Sequence, residues 1–324
     1  MLGTRVALGG LSPTPLQPMD RLGDALGLEP GRLHVKRDDL TGLAGGGNKV
    51  RKLEHLCADA LAQGCDLLVT GGGEQSNHAR LTAAAANRLG LDCTLVLAAD
   101  PVAVPTGNVV LDHLLGPEIV WAGEIGYYAL EQAMRDEADR HRAAGRNPYL
   151  IPVGGASTIG ELGYVVAALE LREQLPSVGF VVTADGSGGT HAGLVAGLGS
   201  HDLVLGVDAG TRPDLDKVVP IKAAEAAELA GLPAPTGAVQ VDHDRYGDGY
   251  GAPTDSCREA LDLAARLEGL ILDPVYTGKA FAGLIAAVRE QRVPATGALV
   301  FMHTGGMPAL FEPRYAMWAA HRPT

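Results

Sequence analysis

Residues 180–194 read FVVTADGSGGTHAGL and contain the pattern that decides the fold. The mostly apolar run 180–184 is typical of a strand that is buried on both faces of a parallel sheet. This run ends in a glycine-rich turn, after which a segment rich in Ala, Gly and Leu predicts a helix. Polar, glycine-rich turns also follow the apolar runs at 67–70 and 298–302, so the same order recurs along the chain.

Short apolar runs alternate with longer Ala-, Leu-, Glu- and Arg-rich segments through most of the 324 residues. This alternation predicts βαβ units and therefore an α/β protein with mostly parallel sheets. The candidate strands are Leu67–Thr70, Cys93–Leu97, Ile119–Trp121, Tyr149–Val153, Phe180–Ala184, Leu203–Asp208 and Ala298–His303. The candidate helices cover 50–63, 79–89, 126–144, 159–174, 256–268 and 279–292. The segment 231–254, with several Pro and Gly residues, is predicted to be a long surface loop.

The three glycine-rich turns share a position, because each follows the carboxyl end of a predicted strand. In open α/β sheets, ligands bind beyond these ends, where loops and helix N-termini present free backbone N–H groups. The turns are therefore expected to form three walls of one crevice.

Charge and cysteine content exclude several classes of protein. The chain has 26 Lys and Arg against 38 Asp and Glu, a net charge of −12, which disfavours binding to nucleic acid or to an anionic membrane surface. No apolar run approaches the length of a membrane span. The four cysteines show no C-x-x-C spacing, which favours a reducing, cytoplasmic location.

The glycine loops do not match the common nucleotide or metal motifs. Residues 42–50 lack the Lys-Ser/Thr order of a phosphate loop of NTPases, and His191 occupies the place of the third glycine of a dinucleotide fingerprint. The acidic segment 242–244 is interpreted as a solvated loop, and no metal site is predicted.

Ser187-Gly188-Gly189-Thr190 before a helix suits a phosphate monoester. Lys49 follows a glycine run at a helix start beside Arg51 and Lys52, and such like charges can lower the pKa of an amine. A phosphate cradle and a reactive amine together indicate pyridoxal 5′-phosphate (PLP).

Several motifs in order resemble the 1-aminocyclopropane-1-carboxylate (ACC) deaminase / D-cysteine desulfhydrase family of fold-type II PLP enzymes. The resemblance extends from near residue 12 to near residue 311. Its motifs are KRDDLTG at 36–42, GGNKVRKLE at 46–54, QSNH at 75–78, SGGTHAG at 187–193, GYG at 249–251, DPVYTGKA at 273–280 and HTGG at 303–306.

The resemblance implies an architecture of two open, twisted, mostly parallel α/β domains with the cofactor in the cleft between them. A large PLP-binding domain would comprise residues 1–49 and 159–324, and a small domain would comprise residues 50–158. The family is typically homodimeric, and its substrates are small amino acids.

The resemblance also implies a role for each matching residue. Lys49 would be the Schiff-base lysine and the base at Cα, and Asn77 would bind the 3′-oxygen of the cofactor. Ser76, Asn77 and His78 would hold the substrate carboxylate. Tyr250 and Tyr276 would lie on the substrate side of the ring and, like Ser76 and Lys49, would be catalytic residues. The remaining cofactor contacts would be Ser187, Gly188, Gly189 and Thr190 at the phosphate and Thr304, with Thr277 near it, at the pyridine nitrogen.

The choice of reaction depends on position 277, where ACC deaminases of the family carry a Glu and this chain carries Thr277. A carboxylate keeps the pyridine protonated and makes the ring a strong electron sink, whereas a hydroxyl leaves it neutral and weaker. A neutral ring suffices for β-elimination, so the resemblance favours a PLP-dependent carbon–sulfur lyase, D-cysteine desulfhydrase. ACC deaminase, L-cysteate sulfo-lyase and L-cysteine desulfhydrase remain alternatives, as does a catalytically idle PLP-binding regulator.

Overall fold

The computed structural model describes residues 2–9 and 12–320, which form two sheets covered by helices. A six-stranded sheet has the order β1-β2-β10-β7-β8-β9, and a four-stranded sheet has the order β5-β4-β3-β6. Every strand pair is parallel except β1 with β2. The strands are β1 (Leu16–Pro18), β2 (Leu33–Lys36), β3 (Leu67–Gly73), β4 (Asp92–Ala98), β5 (Glu118–Trp121), β6 (Pro148–Leu150), β7 (Val178–Asp185), β8 (Val204–Asp208), β9 (Gln240–Asp242) and β10 (Ala298–Met302).

Eleven α-helices of the described residues follow or separate these strands, as βαβ units require. They are α1 (Asp20–Ala25), α2 (Lys49–Ala62), α3 (Asn77–Leu89), α4 (Asn108–Leu115), α5 (Tyr127–Ala143), α6 (Thr158–Gln174), α7 (Gly189–Leu198), α8 (Leu215–Ala230), α9 (Asp255–Glu268), α10 (Thr277–Arg289) and α11 (Pro313–Ala320). Within the part of the chain described above, no helix is both long and apolar enough to cross a membrane.

Helices α2, α6 and α7 pack closely because glycines replace larger side chains at their contacts. A Cβ added at Gly163 of α6 would lie 2.3 Å from the carbonyl oxygen of Arg51 on α2. A Cβ at Gly193 of α7 would lie 2.5 Å from the Cβ of Tyr164 on α6. Helix α6 thereby connects the helix that begins at Lys49 with the helix that begins at the glycine-rich turn after β7.

The predicted α/β class is confirmed, and each predicted strand overlaps an observed one, with differences at the ends. The strand predicted at Tyr149–Val153 is instead Pro148–Leu150, because a short 3₁₀ turn occupies Val153–Gly155. The prediction that 231–254 is a long surface loop is wrong for part of this segment. Strand β9 lies within it and pairs with β8. Strands β1 and β2 were not predicted. The two sheets are built from 67–150 and from 16–36 with 178–302, and domain boundaries near residues 49 and 158 remain a prediction.

Candidate active site

A cavity of about 450 Å³ lies at the carboxyl ends of β3, β4 and β7 and at the N-termini of α2, α3 and α7. All three glycine-rich turns of the sequence contribute residues to its wall, as the strand pattern predicted. Its volume suits a small molecule. Of the residues singled out in the sequence, those that line it are Lys49, Ser76, Asn77, His78, Ser187, Gly188, Thr190, Tyr250, Tyr276 and Thr304.

Lys49 presents an amine to this cavity, and its loop is fixed on both sides. The neighbouring Asn48 donates from its backbone N–H to the carbonyl oxygen of Thr304 (3.0 Å) and from its side chain to the hydroxyl of Thr190 (3.0 Å). Burial lowers the pKa of Lys49 to about 8, and the charge of Asp185 offsets this only in part. The amine is therefore much closer to a neutral nucleophile than an exposed lysine at the same pH.

The expected cause of this lowered pKa, the like charges of Arg51 and Lys52, is not the main one. Arg51 points away and pairs with Asp38 (2.9 Å) and Glu170 (3.0 Å) in a buried network. Removal of the Lys49 amine from water is the larger cause.

A cradle for an anion faces the Lys49 amine across Gly154. A Cβ added at Gly154 would lie 2.5 Å from the hydroxyl oxygen of Ser187 and 3.8 Å from Nζ of Lys49, so a side chain here would fill the space between them. Gly188 adopts a φ of +88° at the start of α7 and lets the turn close. The N-terminus of α7 presents free backbone N–H groups beside the hydroxyls of Ser187 and Thr190, and together these donors can bind an anion.

Gly189 differs from its neighbours because it does not line the cavity. A Cβ at Gly189 would lie 2.8 Å from Nζ of Lys52, so this glycine makes room for a buried amine behind the cradle. Lys52 is fully buried, and its side-chain amine donates to the carbonyl oxygen of Gly154 (3.2 Å). The sequence interpretation missed Lys52 as a site residue. Its spacing of three from Lys49, which places both on one face of α2, was the available signal.

Ser76, Asn77 and His78 form the N-terminus of α3 at the wall of the cavity. Ser76 caps the helix by accepting from the backbone N–H of Ala79 (3.2 Å), so its own hydroxyl hydrogen remains available to donate. The backbone N–H groups of Asn77 and His78 belong to the first turn and have no intrahelical acceptor. These donors and the positive helix end suit a carboxylate.

The imidazole of His78, in contrast, does not fit the expected contact with a carboxylate. The hydroxyl of Thr70 donates to the carbonyl oxygen of Ile151 (2.9 Å), so it accepts from Nε2–H of His78 (2.9 Å). Burial, together with the charges of Lys49 and Lys52, lowers the pKa of His78 well below its usual range. The neutral ring therefore has its single N–H engaged, and only the backbone N–H of His78 can bind an anion.

Tyr250 and Tyr276 also meet at the cavity wall. Their hydroxyl groups are 2.8 Å apart, and their rings make an edge contact with centroids 5.9 Å apart. Burial raises the pKa of both phenols, for Tyr276 well above its ordinary value. Both hydroxyls therefore remain protonated at neutral pH and can donate a hydrogen bond or a proton.

Thr304 and Thr277, which were expected to lie together, have different surroundings. Thr304 follows the end of β10 and lines the cavity. Thr277 is fully buried outside the wall, where its hydroxyl donates to Asp273 (2.6 Å) and accepts from the backbone N–H of the same residue (2.8 Å). Thr277 therefore does not line the cavity. Its hydroxyl instead stabilises Asp273, whose carboxylate accepts from the backbone N–H groups at the start of α10. A contact between Thr277 and the cofactor remains a prediction.

Comparison with known proteins assigns the family. The family model described as pyridoxal-phosphate dependent enzyme matches residues 7–305. The chain belongs to this PLP-dependent family. Its cofactor is thus PLP, and the cavity fits that molecule, since an amine of lowered pKa faces a cradle of hydroxyl and N–H donors across a gap that a Cβ would fill.

Solved structures agree with this family assignment. A crystal structure described as an ACC deaminase homologue is 37% identical to this PLP enzyme, with 98% of this chain and 95% of that chain covered and a TM-score of 0.89. Threonine deaminase isoform 2 from Solanum lycopersicum is 18% identical, with 90% and 79% covered and a TM-score of 0.65. Diaminopropionate ammonia lyase from Escherichia coli is 15% identical, with 96% and 87% covered and a TM-score of 0.70. The last two share the fold, which confirms the predicted fold-type II architecture.

Proposed function

We propose that this PLP enzyme is a carbon–sulfur lyase that converts D-cysteine and water to pyruvate, ammonia and hydrogen sulfide. The observation that carries the choice is the hydroxyl of Thr304 at the cavity wall, where the resemblance puts the pyridine nitrogen. Position 277, where related ACC deaminases carry a Glu, holds a threonine bonded to Asp273 outside the cavity.

The residues that would hold PLP surround the cavity on three sides. Lys49 would bond covalently to the aldehyde carbon, and the turn Ser187-Gly188-Gly189-Thr190 would bind the phosphate. Asn77 would donate to the 3′-oxygen of the ring, and Thr304 would face the ring nitrogen. Lys52 lies behind the cradle, where burial and the charge of Lys49 lower the pKa of its amine well below the usual range, so it would add an N–H donor near the phosphate site. When bound, PLP supplies an electron sink that stabilises negative charge at Cα.

The substrate would be oriented by the N-terminus of α3 and by the two tyrosines. Its carboxylate would accept hydrogen bonds from the Ser76 hydroxyl and from the N–H groups of Asn77 and His78. Lys49, once free, would take the proton from Cα as a general base, for which a pKa of about 8 is well matched to neutral pH. The protonated phenols of Tyr250 and Tyr276 would donate a proton to the sulfur as it leaves Cβ.

A hydroxyl beside the ring nitrogen favours elimination over reactions that need a long-lived carbanion. A neutral pyridine withdraws electrons less strongly than a protonated one. The electron pair that forms at Cα expels the sulfur from Cβ, so little negative charge accumulates at Cα. The less electron-withdrawing neutral pyridine is therefore sufficient.

ACC deaminase is the second candidate, because the 37% identical structure is described as an ACC deaminase homologue. L-Cysteine desulfhydrase and L-cysteate sulfo-lyase differ from the proposal in the handedness or the leaving group of the substrate. The acidic side chain of Glu74 at the cavity wall disfavours the sulfonate of cysteate. An idle PLP-binding regulator has no need of Ser76, Tyr250 and Tyr276 together.

Purified enzyme incubated separately with D-cysteine, L-cysteine, L-cysteate and ACC tests the proposal. We expect sulfide and pyruvate from D-cysteine in equal amounts, at a higher kcat/KM than for any other substrate. Formation of 2-oxobutyrate from ACC without sulfide from D-cysteine would replace the proposal by ACC deaminase. Absence of product from all four, with PLP bound, would favour the regulator.

The remaining proposals concern the whole chain. We expect a cytoplasmic homodimer of amino-acid metabolism that binds neither nucleic acid nor membranes. The large domain of 1–49 and 159–324 and the small domain of 50–158 would close on the substrate and exclude water. Comparison of the angle between the two sheets in ligand-free and ligand-bound crystals tests this closure.

A further inference from the structure

A buried arginine contacts three segments at or near the active-site wall. Arg80, on α3 one turn after Asn77, is fully buried. Its guanidinium donates to the carbonyl oxygen of Gly46 (2.8 Å), in the glycine run before Lys49, and to Oδ1 of Asn108 (2.8 Å) at the start of α4. It also lies 3.4 Å from Oδ1 of Asn77.

Asn108 completes the network between Arg80 and Asn77. Its side-chain nitrogen donates to Oδ1 of Asn77 (3.0 Å) and to the backbone oxygen of Gln75 (2.9 Å). Its backbone N–H donates to the side-chain oxygen of Gln75 (2.8 Å). Asn108 is itself fully buried, so these bonds are shielded from water.

The donor and acceptor directions in this network are fixed by the arginine. A guanidinium can only donate, so the atoms of Asn108 and Asn77 that face it are carbonyl oxygens. With its oxygen towards Arg80, Asn108 must point its amide nitrogen at Asn77. The carbonyl oxygen of Asn77 is then directed into the network, and its NH₂ group has no partner among residues 2–9 and 12–320.

We propose that Arg80 and Asn108 are positioning residues that hold the Asn77 side chain with its NH₂ group, rather than its carbonyl oxygen, towards the cofactor. This inference rests on the proposed contact between Asn77 and the 3′-oxygen of PLP. A hydrogen-bond donor at that oxygen stabilises its negative charge. The nitrogen that would join Lys49 to the cofactor lies next to this oxygen, and the donor therefore lowers the pKa of that nitrogen. A flipped amide presents a carbonyl oxygen there and has the opposite effect.

Asn108→Asp is the sharpest variant, because it keeps the shape of the side chain and the contact with Arg80. The new carboxylate cannot donate to Asn77, and it favours an Asn77 amide that is flipped with its nitrogen towards position 108. We expect the pKa of the nitrogen between Lys49 and PLP, measured from the visible absorbance of the holoenzyme, to rise by about 1 unit or more. Asn77→Ala should raise the same pKa, because it removes the donor.

The double variant Asn77→Ala/Asn108→Asp separates positioning from a direct effect of the added charge. If Asn108 acts through Asn77, the second substitution adds little once Asn77 is absent. Asn87→Asp is the matched control, since Asn87 also joins α3 to the end of α4, through the carbonyl oxygen of Leu115 (2.7 Å), but is exposed. It should leave the spectrum unchanged. Burial raises the pKa of Asp112, the carboxyl whose charge acts on Arg80, to about 7, so this group titrates in the same pH range. The rise in Asn108→Asp should persist when Asp112→Asn is added, and its loss there would overturn the positioning role.

The outcomes distinguish this inference from the proposed function. A wild-type protein without a visible band after addition of PLP would contradict the cofactor site itself. An unchanged pKa in Asn77→Ala would remove both the role of Asn77 and the inference. An unchanged pKa in Asn108→Asp, or an equal shift with and without Asn77, would overturn the positioning role alone. If Asn108→Asp does not fold, Asn108→Ala should give a smaller rise in the same direction, and no rise would overturn the inference.

Discussion

At the scale of single residues, burial of Lys49 has a direct consequence for pH dependence. A lysine amine attacks an aldehyde only when it is neutral, and burial lowers the pKa of this amine to about 8. We therefore expect the rate of PLP capture by cofactor-free protein to rise steeply up to about pH 8 and then to level off. Stopped-flow absorbance at a series of pH values measures this rate.

The control for Lys49 is a blocked lysine amide in solution, whose capture of PLP should keep rising towards its ordinary pKa of about 10.4. A protein profile that follows the model compound up to the same pH would contradict the lowered pKa.

The two threonines near the C-terminal motifs offer a matched pair of substitutions. Thr304→Val removes a hydroxyl from the cavity wall and should change the absorbance spectrum of bound PLP. Thr277→Val should leave the spectrum unchanged and lower the free energy of unfolding by about 1–3 kcal/mol, because a buried bond to Asp273 is lost. Absorbance spectra and urea unfolding of both variants check this. A spectral change in Thr277→Val instead would restore that residue to the cofactor site.

Sequence motifs located most of the candidate site because its residues follow strand ends or precede helices within a few positions. They could not reveal Thr277's bond to the Asp273 cap, which depends on how α10 begins. They also missed Lys52, whose relevance depends on Gly189 and Gly154 being close in space. Asn77 and Asn108 are 31 positions apart, so their contact has no local signal.

At the scale of elements, the closeness of α6 and α7 should be sensitive to one methyl group. Gly193→Ala would place a Cβ 2.5 Å from a backbone oxygen and from Cβ of Tyr164, so the two helices must separate. We expect the free energy of unfolding to fall by about 1–3 kcal/mol, as is usual for overpacking. Urea denaturation measures the change.

Gly23→Ala is the matched control because Gly23 is also a buried helical glycine. Its added Cβ would lie 3.9 Å from the nearest heavy atom, at Leu33. This substitution should be neutral or stabilise by about 0.5–1 kcal/mol, since alanine favours a helix over glycine. Equal destabilisation by both substitutions would show that close packing is not the reason for Gly193.

The strands that the sequence predicted include the long, apolar, central strands β4 and β7, and also the short edge strands β5 and β6. Those it missed are short and lie at or near a sheet edge: β1 and β9 have three residues each, and β2 alternates apolar with polar side chains. Such segments carry little periodicity, and their pairing partners are distant in the chain. Their strand conformation is set by pairing rather than by local sequence.

At the scale of the whole molecule, the proposed homodimer has a candidate contact surface. Large apolar side chains are exposed around α4 and around 307–311, and these two regions adjoin because a Cβ at Gly107 would lie 3.0 Å from the carbonyl oxygen of Pro308. Leu114 is 78% exposed and Phe311 is 64% exposed. Exposed apolar patches of this kind mark protein interfaces.

We expect light scattering to give twice the chain mass of 33.5 kDa for the wild type. The double substitution Leu114→Glu/Phe311→Glu should yield a monomer, because it would bury charges at the contact. Tyr128→Glu, at another exposed position, is the control and should remain a dimer. A monomeric wild type would contradict the dimer, and a dimeric Leu114→Glu/Phe311→Glu variant would place the interface elsewhere.

The arrangement of two sheets around one cleft makes the amine of Lys49 the point on which the enzymatic account depends. The most direct measurement is to load the protein with PLP, reduce it with borohydride and map the modified peptide by mass spectrometry. We predict that the added mass is on Lys49 alone. Lys52 lies one turn away on the same helix but is more deeply buried, so it should remain unmodified. Modification of Lys52 or of another lysine, or no modification, would contradict the account.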